Sequence, residues 1–398
     1  MESGTTVVEW KGPGHTPGLV RTSAASLVLL SLAHFFIDLY TGALGALQPV
    51  LVTKLSLSLT QAGILGGVLV FSSSVMQPVY GILSDRFHTR MFTVLAPAVA
   101  GVFLSALGGA SGFTWLMLLA ALGGAGVASF HPQASAWAGQ GIPETRGRWM
   151  ALFISAGNLG LAAGPTFFST VAAWWGLERT WWAAWPGVLV TVLLLAHLPD
   201  AARTSHSPRP RRDWGPLWAV WKPLAILYLL VVIRSIVQVT FGQFLPLYLH
   251  RERGLPVSTA NYALSLYLGC GALGGLFGGH LADRLGRRAV IMISMIGCVP
   301  FLALFFFANG APAWAGLALG GFILLFTIPV NIVMAQELAP SQTGTVSALM
   351  MGFGWGMAGL VFIPMTGWAA DYFSLDAVLR ILILFPLLGF LLAWKLPK

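Results

Sequence analysis

Twelve apolar runs, each long enough to cross a lipid bilayer, constrain the fold of this chain more than any other feature. A bilayer core of about 30 Å takes roughly 20 helical residues, and continuous apolar runs favour helices over the alternating strands of a membrane barrel. Only 9% of the residues are charged and 57% are hydrophobic, which excludes an ordinary soluble domain. We predict an all-α integral membrane protein with twelve transmembrane helices. The predicted spans are residues 24–52, 60–83, 91–110, 113–138, 148–173, 181–198, 222–249, 259–281, 289–308, 312–337, 345–370 and 375–394.

The basic residues are distributed unevenly across the predicted membrane. If both termini share one side, that side holds sixteen of the 22 Lys and Arg residues, the other side holds five, and Arg234 lies within a span. The positive-inside rule makes the richer side cytoplasmic. The net charge of +9 therefore indicates topology and contact with anionic membrane lipid, and not a nucleic-acid surface. We predict a multi-pass protein of the cell membrane, the inner membrane where a cell has two, with both termini cytoplasmic.

The sequence repeats itself at an offset of 197 or 198 residues, and the repeat divides the chain. Pro49 aligns with Pro246 at 197, and the phrase G81-I-L-S-D-R-F-H-T-R90 recurs as G279-H-L-A-D-R-L-G-R-R288 at 198. Repeats with an even number of spans keep the same orientation in the membrane. We predict two pseudo-symmetric six-helix bundles at 23–198 and 222–398, after a cytoplasmic tail at 1–22 without a signal-peptide core. A cytoplasmic linker rich in Pro and Arg is expected at 199–221.

The repeated charged phrase predicts a conformational latch on the cytoplasmic side. Its glycine permits a close helix approach, its aspartate can face the positive end of a neighbouring helix, and its arginines can contact that aspartate or lipid phosphates. Solvated loop charges are the alternative, but duplication at matched positions favours the latch. The predicted latch residues are Gly81, Asp85, Arg86, Arg90, Gly279, Asp283, Arg284, Arg287 and Arg288.

The pattern G-x-x-x-D-R-x-x-R/x-R after the second span of each half resembles the signature of the major facilitator superfamily, and the resemblance covers the whole chain. In the first copy Thr89 stands where a second basic residue often occurs. The resemblance implies a transporter in which two six-helix bundles rock against each other.

Shorter motifs resemble the fosmidomycin-resistance branch of that superfamily. They are A-H-F-F-I-D-L at 33–39, S-F-H-P-Q at 129–133, S-A-G-N-L-G-L-A-A-G-P at 155–165, R-S-I from Arg234 and F-L-P-L-Y from Phe244. Part of the third stretch also resembles the antiporter motif of drug and proton exchangers, with Phe167 and Phe168 in place of its trailing glycines. Ordinary tight helix packing is the alternative interpretation. The antiporter-like residues are Gly157, Gly160, Gly164 and Pro165.

Ionisable side chains inside the spans point to the transport site. Each costs at least ~2.5 kcal/mol in the membrane and therefore faces a cavity or a partner. His34 and Asp38 are four residues apart and share one face of the first helix, while His131 precedes Pro132, which loosens a helix. We predict that Asp38, His34 and His131 carry protons. The alternatives are packing roles for the histidines and a permanent pairing of Asp38 with Arg234.

Arg234 cannot lose its charge within a span, so it needs an anion. That anion is Asp38, or a phosphonate or carboxylate of the substrate, and the repeat is expected to place Asp38 and Arg234 on opposing walls. No metal and no cofactor other than a proton gradient is predicted. The predicted substrate-binding residues are Arg234, His131, Gln48, Gln238, Gln243 and Asn331.

Together these features favour a monomeric proton-coupled transporter that exports a small anionic or zwitterionic drug or metabolite, with antibiotic resistance as a consequence. The alternatives are a proton-linked importer of a small organic solute and, with less support, an integral-membrane enzyme. The sequence contains no G-x-x-x-x-G-K-[ST] pattern, which disfavours an ATP-driven pump. It contains neither H-E-x-x-H nor G-x-S-x-G, which disfavours an enzyme.

Overall fold

A computed structural model describes residues 23–87, 89–139, 146–198 and 215–397. Within these ranges twelve helical segments are long and apolar enough to cross a membrane, as predicted. We number them α1 (Ala24–Lys54), α2 (Leu59–Phe87), α3 (Met91–Gly109), α4 (Phe113–Ala138), α5 (Arg148–Trp175), α6 (Leu177–His197), α7 (Trp221–Arg251), α8 (Val257–Leu285), α9 (Arg287–Phe307), α10 (Ala311–Leu338), α11 (Pro340–Tyr372) and α12 (Leu375–Ala393).

Most segments extend a few residues beyond their predicted bounds. The helices of α2 and α8 continue through the charged phrases to Phe87 and Leu285, because charged residues end an apolar run without ending a helix. The predicted tail at 1–22 lies outside the described residues, as does most of the predicted linker. The last part of that linker forms a five-residue helix, Gly215–Ala219.

Several segments contain a break or a change of helix type. In α10 the break falls at 325–326, and Pro329 just after it lacks the backbone donor that would reach the carbonyl of Leu325. In α4, by contrast, the helix runs unbroken through Pro132 to Gly139, so the expected loosening beside His131 is not a break. The pieces are Ala24–Thr41 and Ala43–Lys54 in α1; Leu59–Val70, a π-helical turn Phe71–Val75 and Gln77–Phe87 in α2; Met91–Ser105 and a 3-10 turn Ala106–Gly109 in α3; a 3-10 stretch Leu177–Ala184 and Trp185–His197 in α6; Ala311–Leu324 and Thr327–Leu338 in α10; Pro340–Gln342, Thr343–Ala348, a π-helical turn Leu349–Phe353 and Gly354–Tyr372 in α11; and Leu375–Leu382 and Phe385–Ala393 in α12.

The sequence repeat reappears as a repeat of packing contacts. Gly123 of α4 packs on Leu104 of α3, and in the second half Gly320 of α10 packs on Leu302 of α9; in each pair a Cβ built on the glycine would lie 2.5 Å from the leucine side chain. These partners are separated by 197 and 198 residues along the chain, the offsets of the sequence repeat. The two six-helix halves are therefore related in structure as well as in sequence.

The halves meet through α1 with α7, α2 with α11 and α5 with α8. Hydrogen bonds join them near the end of the molecule that carries the turn 55–58, which we call the 55–58 end. Oγ1 of Thr166 on α5 lies 2.8 Å from Oγ of Ser265 on α8, and the amide of Asn261 on α8 donates to the carbonyl of Ala46 on α1 over 3.1 Å. These polar contacts hold the two halves together on this side of the membrane core.

A carboxylate from the second half caps a helix of the first half at the same end. Asp371, at the end of α11, accepts hydrogen bonds of 2.8 Å from the backbone N–H groups of Leu59 and Thr60 and one of 2.6 Å from the Thr60 hydroxyl. These N–H groups open α2 and have no partner within the helix. The cap therefore joins α11 to α2 across the boundary between the halves.

Candidate functional site

Two helices of the first half bring the three predicted proton carriers together. His34 and Asp38 lie one turn apart on α1, and His131 projects from α4. Oδ2 of Asp38 lies 3.3 Å from Nε2 of His34, and Oδ1 lies 3.4 Å from Nε2 of His131. The side chains of Asp38 and His131 are 20% and 24% exposed. The carboxylate thus lies between two imidazoles, close enough to share a proton with each.

Backbone carbonyl groups fix the orientation of both rings. Nδ1 of His34 lies 2.8 Å from the carbonyl oxygen of Phe153 on α5, and Nδ1 of His131 lies 2.9 Å from that of Val127, one turn earlier on α4. A carbonyl oxygen only accepts hydrogen bonds, so Nδ1 of each ring carries a hydrogen and donates it. In both rings the nitrogen that gains or loses a proton is therefore Nε2, which faces Asp38.

Gly157 of the antiporter-like motif lies directly against this cluster. A Cβ built on Gly157 would lie 2.5 Å from Nε2 of His34 and 2.6 Å from Oδ2 of Asp38. Atoms do not approach this closely without bonding, so a side chain here would separate the carboxylate from the imidazole. Glycine leaves the space that the contact between His34 and Asp38 requires.

The rest of the antiporter-like motif packs α5 against α1. A Cβ on Gly160 would overlap the backbone carbonyl of Phe35, and one on Gly164 would lie 2.5 Å from the carbonyl oxygen of Leu39. The helix continues through Pro165 to Trp175 without a break. These glycines have a packing role in the structure, and that packing fixes the distance between α5 and the carboxylate on α1.

Arg234 lies on α7 in the second half and is 4% exposed. Its guanidinium donates to Oε1 of Gln238 and, over 2.9 Å, to Oγ of Ser235, and it lies 5.8 Å from the ring centroid of Trp355. Among the described residues no carboxylate lies within 4 Å of it. Arg234 is thus a buried cation that neutral groups alone hold in place.

The alternative interpretation, a permanent pairing of Asp38 with Arg234, finds no support among the contacts of the described residues, since Asp38 faces two histidines instead. The repeat explains why. Arg234 corresponds to Ile37, and consecutive helical residues point about 100° apart. Ile37 is fully buried and is the neighbour of Asp38, not its equivalent, and Arg234 likewise contacts residues of its own half, Gln238 and Trp355.

The other predicted substrate residues are buried but do not form one cluster around Arg234. Gln48 donates to the carbonyl of Ala62 on α2 over 3.3 Å. Gln243 lies where α7 crosses α2, its Cδ 2.8 Å from a Cβ built on Gly66. Asn331 on α10 is fully buried, and within the described part of the chain its amide has no hydrogen-bond partner. Among the described residues, Gln238 is therefore the one predicted substrate residue that forms a hydrogen bond with Arg234.

The second copy of the predicted latch makes its described contacts within its own half. Arg287 pairs with Glu337 of α10, and Arg288 donates over 2.7 Å to the carbonyl of Trp394 at the end of α12. Gly279 faces Pro329 at 3.7 Å, as Gly81 faces Pro132 at 3.4 Å, measured from a Cβ built on each glycine, so neither position excludes a side chain. The latch function stays a prediction. The remaining predicted latch residues lie at the adjoining helix ends; they are Asp85, Arg86, Arg90, Asp283 and Arg284.

Sequence reasoning did not single out three residues whose burial or contacts stand out in the structure: Tyr267, Trp355 and Asp371. Tyr267 on α8 is fully buried with an unpartnered hydroxyl among the described residues, and Trp355 on α11 faces Arg234. An aromatic residue inside an apolar run gives no signal that separates it from the core. Asp371 did give one, since it is a lone acidic residue directly after a predicted span and before the next.

The spacing of the triad also raises the question of a metal ion, because one ligand atom each of His34, Asp38 and His131 lie within 4.8 Å of one another. Metal ligands converge on a single point. Here His34 faces Oδ2 of the carboxylate and His131 faces Oδ1. Each imidazole thus has its own carboxylate oxygen, an arrangement that can hold one proton in each contact.

Comparison with known proteins gives a family model, two relatives and a solved structure that each match most of the chain. The family model described as Major Facilitator Superfamily matches residues 30–351 and 227–398. The fosmidomycin resistance protein of Escherichia coli K12 is 30% identical over 93% of this chain and 92% of its own length. An MFS-type transporter of Bacillus subtilis, YfnC, is 28% identical over 94% and 92%. A solved bacterial homolog of the human lysosomal transporter Spinster has a TM-score of 0.78 at 14% identity, covering 96% of this chain and 97% of that one.

Proposed function

The chain belongs to the Major Facilitator Superfamily, and from that membership we propose that it is a proton-coupled secondary transporter that exports a small anionic or zwitterionic drug or metabolite by alternating access. It would act as a monomer in the cell membrane, with both termini in the cytoplasm. Resistance to the exported compound would follow.

One observation carries this proposal: the buried cation and the proton carriers lie in different halves. Arg234 lies in the second half with no carboxylate within 4 Å among the described residues. A buried guanidinium keeps its charge and requires an anion, which the substrate would supply. Asp38 and its two histidines lie in the first half, where gain or loss of protons changes the charge of that half. This arrangement supports coupling between proton binding and anion binding.

The first compound to test is fosmidomycin, a small phosphonate, because the Escherichia coli relative is a fosmidomycin resistance protein. A phosphonate presents several oxygens to the planar fork of an arginine, which binds two oxygens at once. Arg234→Lys keeps the charge but removes the fork. We expect it to weaken fosmidomycin binding at least about tenfold, the loss of one charge-assisted contact.

The deciding experiment uses purified protein in proteoliposomes with an imposed pH gradient and labelled fosmidomycin. If the protein exchanges fosmidomycin for protons, labelled fosmidomycin should accumulate inside vesicles whose lumen is more acidic than the medium. Accumulation under the opposite gradient would support the importer alternative. Fosmidomycin flux that does not depend on the pH gradient would contradict proton coupling. The wild type and Arg234→Lys are compared at equal protein content.

A further inference from the structure

We propose that His34, Asp38 and His131 hold two protons together, one in each contact between an imidazole and the carboxylate. This inference rests on the proton coupling proposed above and adds to it the number of protons and the atoms that hold them. Its basis is the orientation of the two rings.

The backbone leaves only one way to satisfy both contacts. Because Nδ1 of each ring donates to a carbonyl, Nε2 of a neutral ring bears a lone pair directed at Asp38. With no shared proton, the lone pair of each Nε2 faces a carboxylate oxygen over 3.3 or 3.4 Å, and each nitrogen repels the oxygen that it faces. One proton relieves one contact and leaves the other repulsive. Two protons satisfy both.

The two protons do not compete for one acceptor. His34 faces Oδ2 and His131 faces Oδ1, so each proton has its own carboxylate oxygen. With both protons the cluster carries a net charge of +1, and with neither it carries −1. The first half therefore changes by two charges when the cluster is emptied, and that change acts on an anion held by Arg234 in the second half.

No other charged group described near the cluster offers an alternative proton store. On α5 the neighbours are the carbonyl of Phe153 and Gly157, which do not titrate. The hydroxyl of Tyr40, on α1, is turned away and donates to the carbonyl of Ala183 on α6. Among the described residues, His34 and His131 are the ionisable groups within 4 Å of the Asp38 carboxylate. The proton count of the cluster is therefore set by its own three members.

The test is the charge state of each histidine ring, read from the nitrogen resonances of ¹⁵N-histidine in protein reconstituted in lipid nanodiscs near neutral pH. His34→Gln and His131→Gln assign the two rings. His197 is an internal control, because its Nδ1 also faces the carbonyl one turn earlier, that of Leu193 at 3.1 Å, but it has no carboxylate partner among the described residues. We expect His34 and His131 to be charged and His197 to be neutral. In Asp38→Asn both rings should become neutral with hydrogen on Nδ1.

Three results would overturn the inference. They are a single charged ring in the wild type, two rings whose charge is unchanged in Asp38→Asn, or stoichiometric binding of Zn²⁺ that each of the three single variants abolishes. The readout does not depend on transport. Two charged rings in a protein whose fosmidomycin flux ignores the pH gradient would support the two-proton cluster and refute the proposed function. Coupled flux with one charged ring would refute this inference alone.

Discussion

At the scale of single residues, Asp38 faces two imidazoles and not a guanidinium, which changes what its substitution should do. Removing the partner of a buried ion pair costs about 3 to 5 kcal/mol. The two imidazoles avoid that cost by losing their protons, whereas Arg234 cannot, so a loss of this size is expected only if Asp38 neutralised Arg234. Because Arg234 bonds to Gln238 and Ser235, we expect Asp38→Asn to leave the melting temperature within a few degrees of wild type. Proton-driven accumulation of fosmidomycin should be lost. Exchange of labelled for unlabelled fosmidomycin at equal concentrations on both sides of the membrane should continue.

Differential scanning calorimetry and the two flux assays check this outcome on the same preparation. Intact accumulation in a stable Asp38→Asn protein would move the proton site elsewhere. A large fall in melting temperature that Arg234→Gln restores would instead revive the direct pairing of the two charges.

A second residue-scale prediction concerns Gly157. Alanine there would place a methyl group 2.5 Å from Nε2 of His34 and 2.6 Å from Oδ2 of Asp38, so the contact between these two side chains must open. We expect Gly157→Ala to reduce proton-driven flux at least about tenfold without loss of membrane insertion. The control is Gly242→Ala, whose Cβ would have no atom within 4 Å. Equal flux in both variants would show that the space beside His34 is not needed.

How much of the site was predictable depended on whether its contacts were local in sequence. His34 and Asp38 share a helix face through their spacing alone, so their contact could be predicted. The arrival of His131 from α4 could not be derived from spacing, because it depends on how α4 is rotated against α1. Because Arg234 is equivalent to the buried Ile37, the repeat could predict which way the Arg234 side chain points. It could not predict the residues that Arg234 contacts, because the repeat does not conserve the side chains around that position.

At the scale of helices, the contact of α5 with α1 should tolerate no side chain at Gly160. A Cβ there overlaps the backbone carbonyl of Phe35, and a backbone atom cannot move away by rotating a side chain. The two helices must then separate, which also displaces the carboxylate one turn further along α1. We expect Gly160→Ala to lower thermal stability by several degrees and to abolish flux. Wild-type melting and flux would show that the helices can separate without cost.

The cap on α2 gives a second prediction at this scale. Loss of a helix cap costs about 0.5 to 2 kcal/mol, and Asp371 caps a helix of the opposite half. Because that cap must break when the halves part at the 55–58 end, Asp371→Ala should favour the state that is open there. A cysteine introduced at Ser265 should then react faster with a water-soluble maleimide than in the Asp371 parent, with Cys270 and Cys298 replaced in both. Equal reaction rates would contradict a role of the cap in holding this end.

Prediction of the elements succeeded where length and apolarity decided and failed where packing decided. Twelve spans follow from runs of apolar residues whatever their neighbours. The π-helical turn Phe71–Val75 left no trace in the hydropathy pattern. Pro132 and Pro329 occupy equivalent positions, yet α4 is continuous and α10 is broken. Proline removes the same hydrogen bond in both, so the surrounding helices decide whether the chain breaks.

At the scale of the whole molecule, alternating access requires the two halves to separate at the 55–58 end in part of each cycle. Thr166 on α5 and Ser265 on α8 lie on opposite sides of the boundary, with hydroxyl oxygens 2.8 Å apart. We expect cysteines at both positions to form a disulfide, because their sulfur atoms would replace these two neighbouring oxygens. The proposed transport cycle therefore predicts that linking these residues stops transport without unfolding either half.

The experiment uses Thr166→Cys/Ser265→Cys in a background in which Cys270 and Cys298 are replaced by serine and alanine. We expect oxidation to abolish fosmidomycin flux in proteoliposomes and reduction to restore it, because the disulfide prevents the halves from parting at the 55–58 end. The matched control is Ser265→Cys alone, whose flux oxidation should not change. Binding of fosmidomycin to the oxidised double variant should persist, since Arg234 and the triad lie outside the linked contact. Full flux in the oxidised double variant, with the disulfide verified by mass spectrometry, would show that this end does not open during transport.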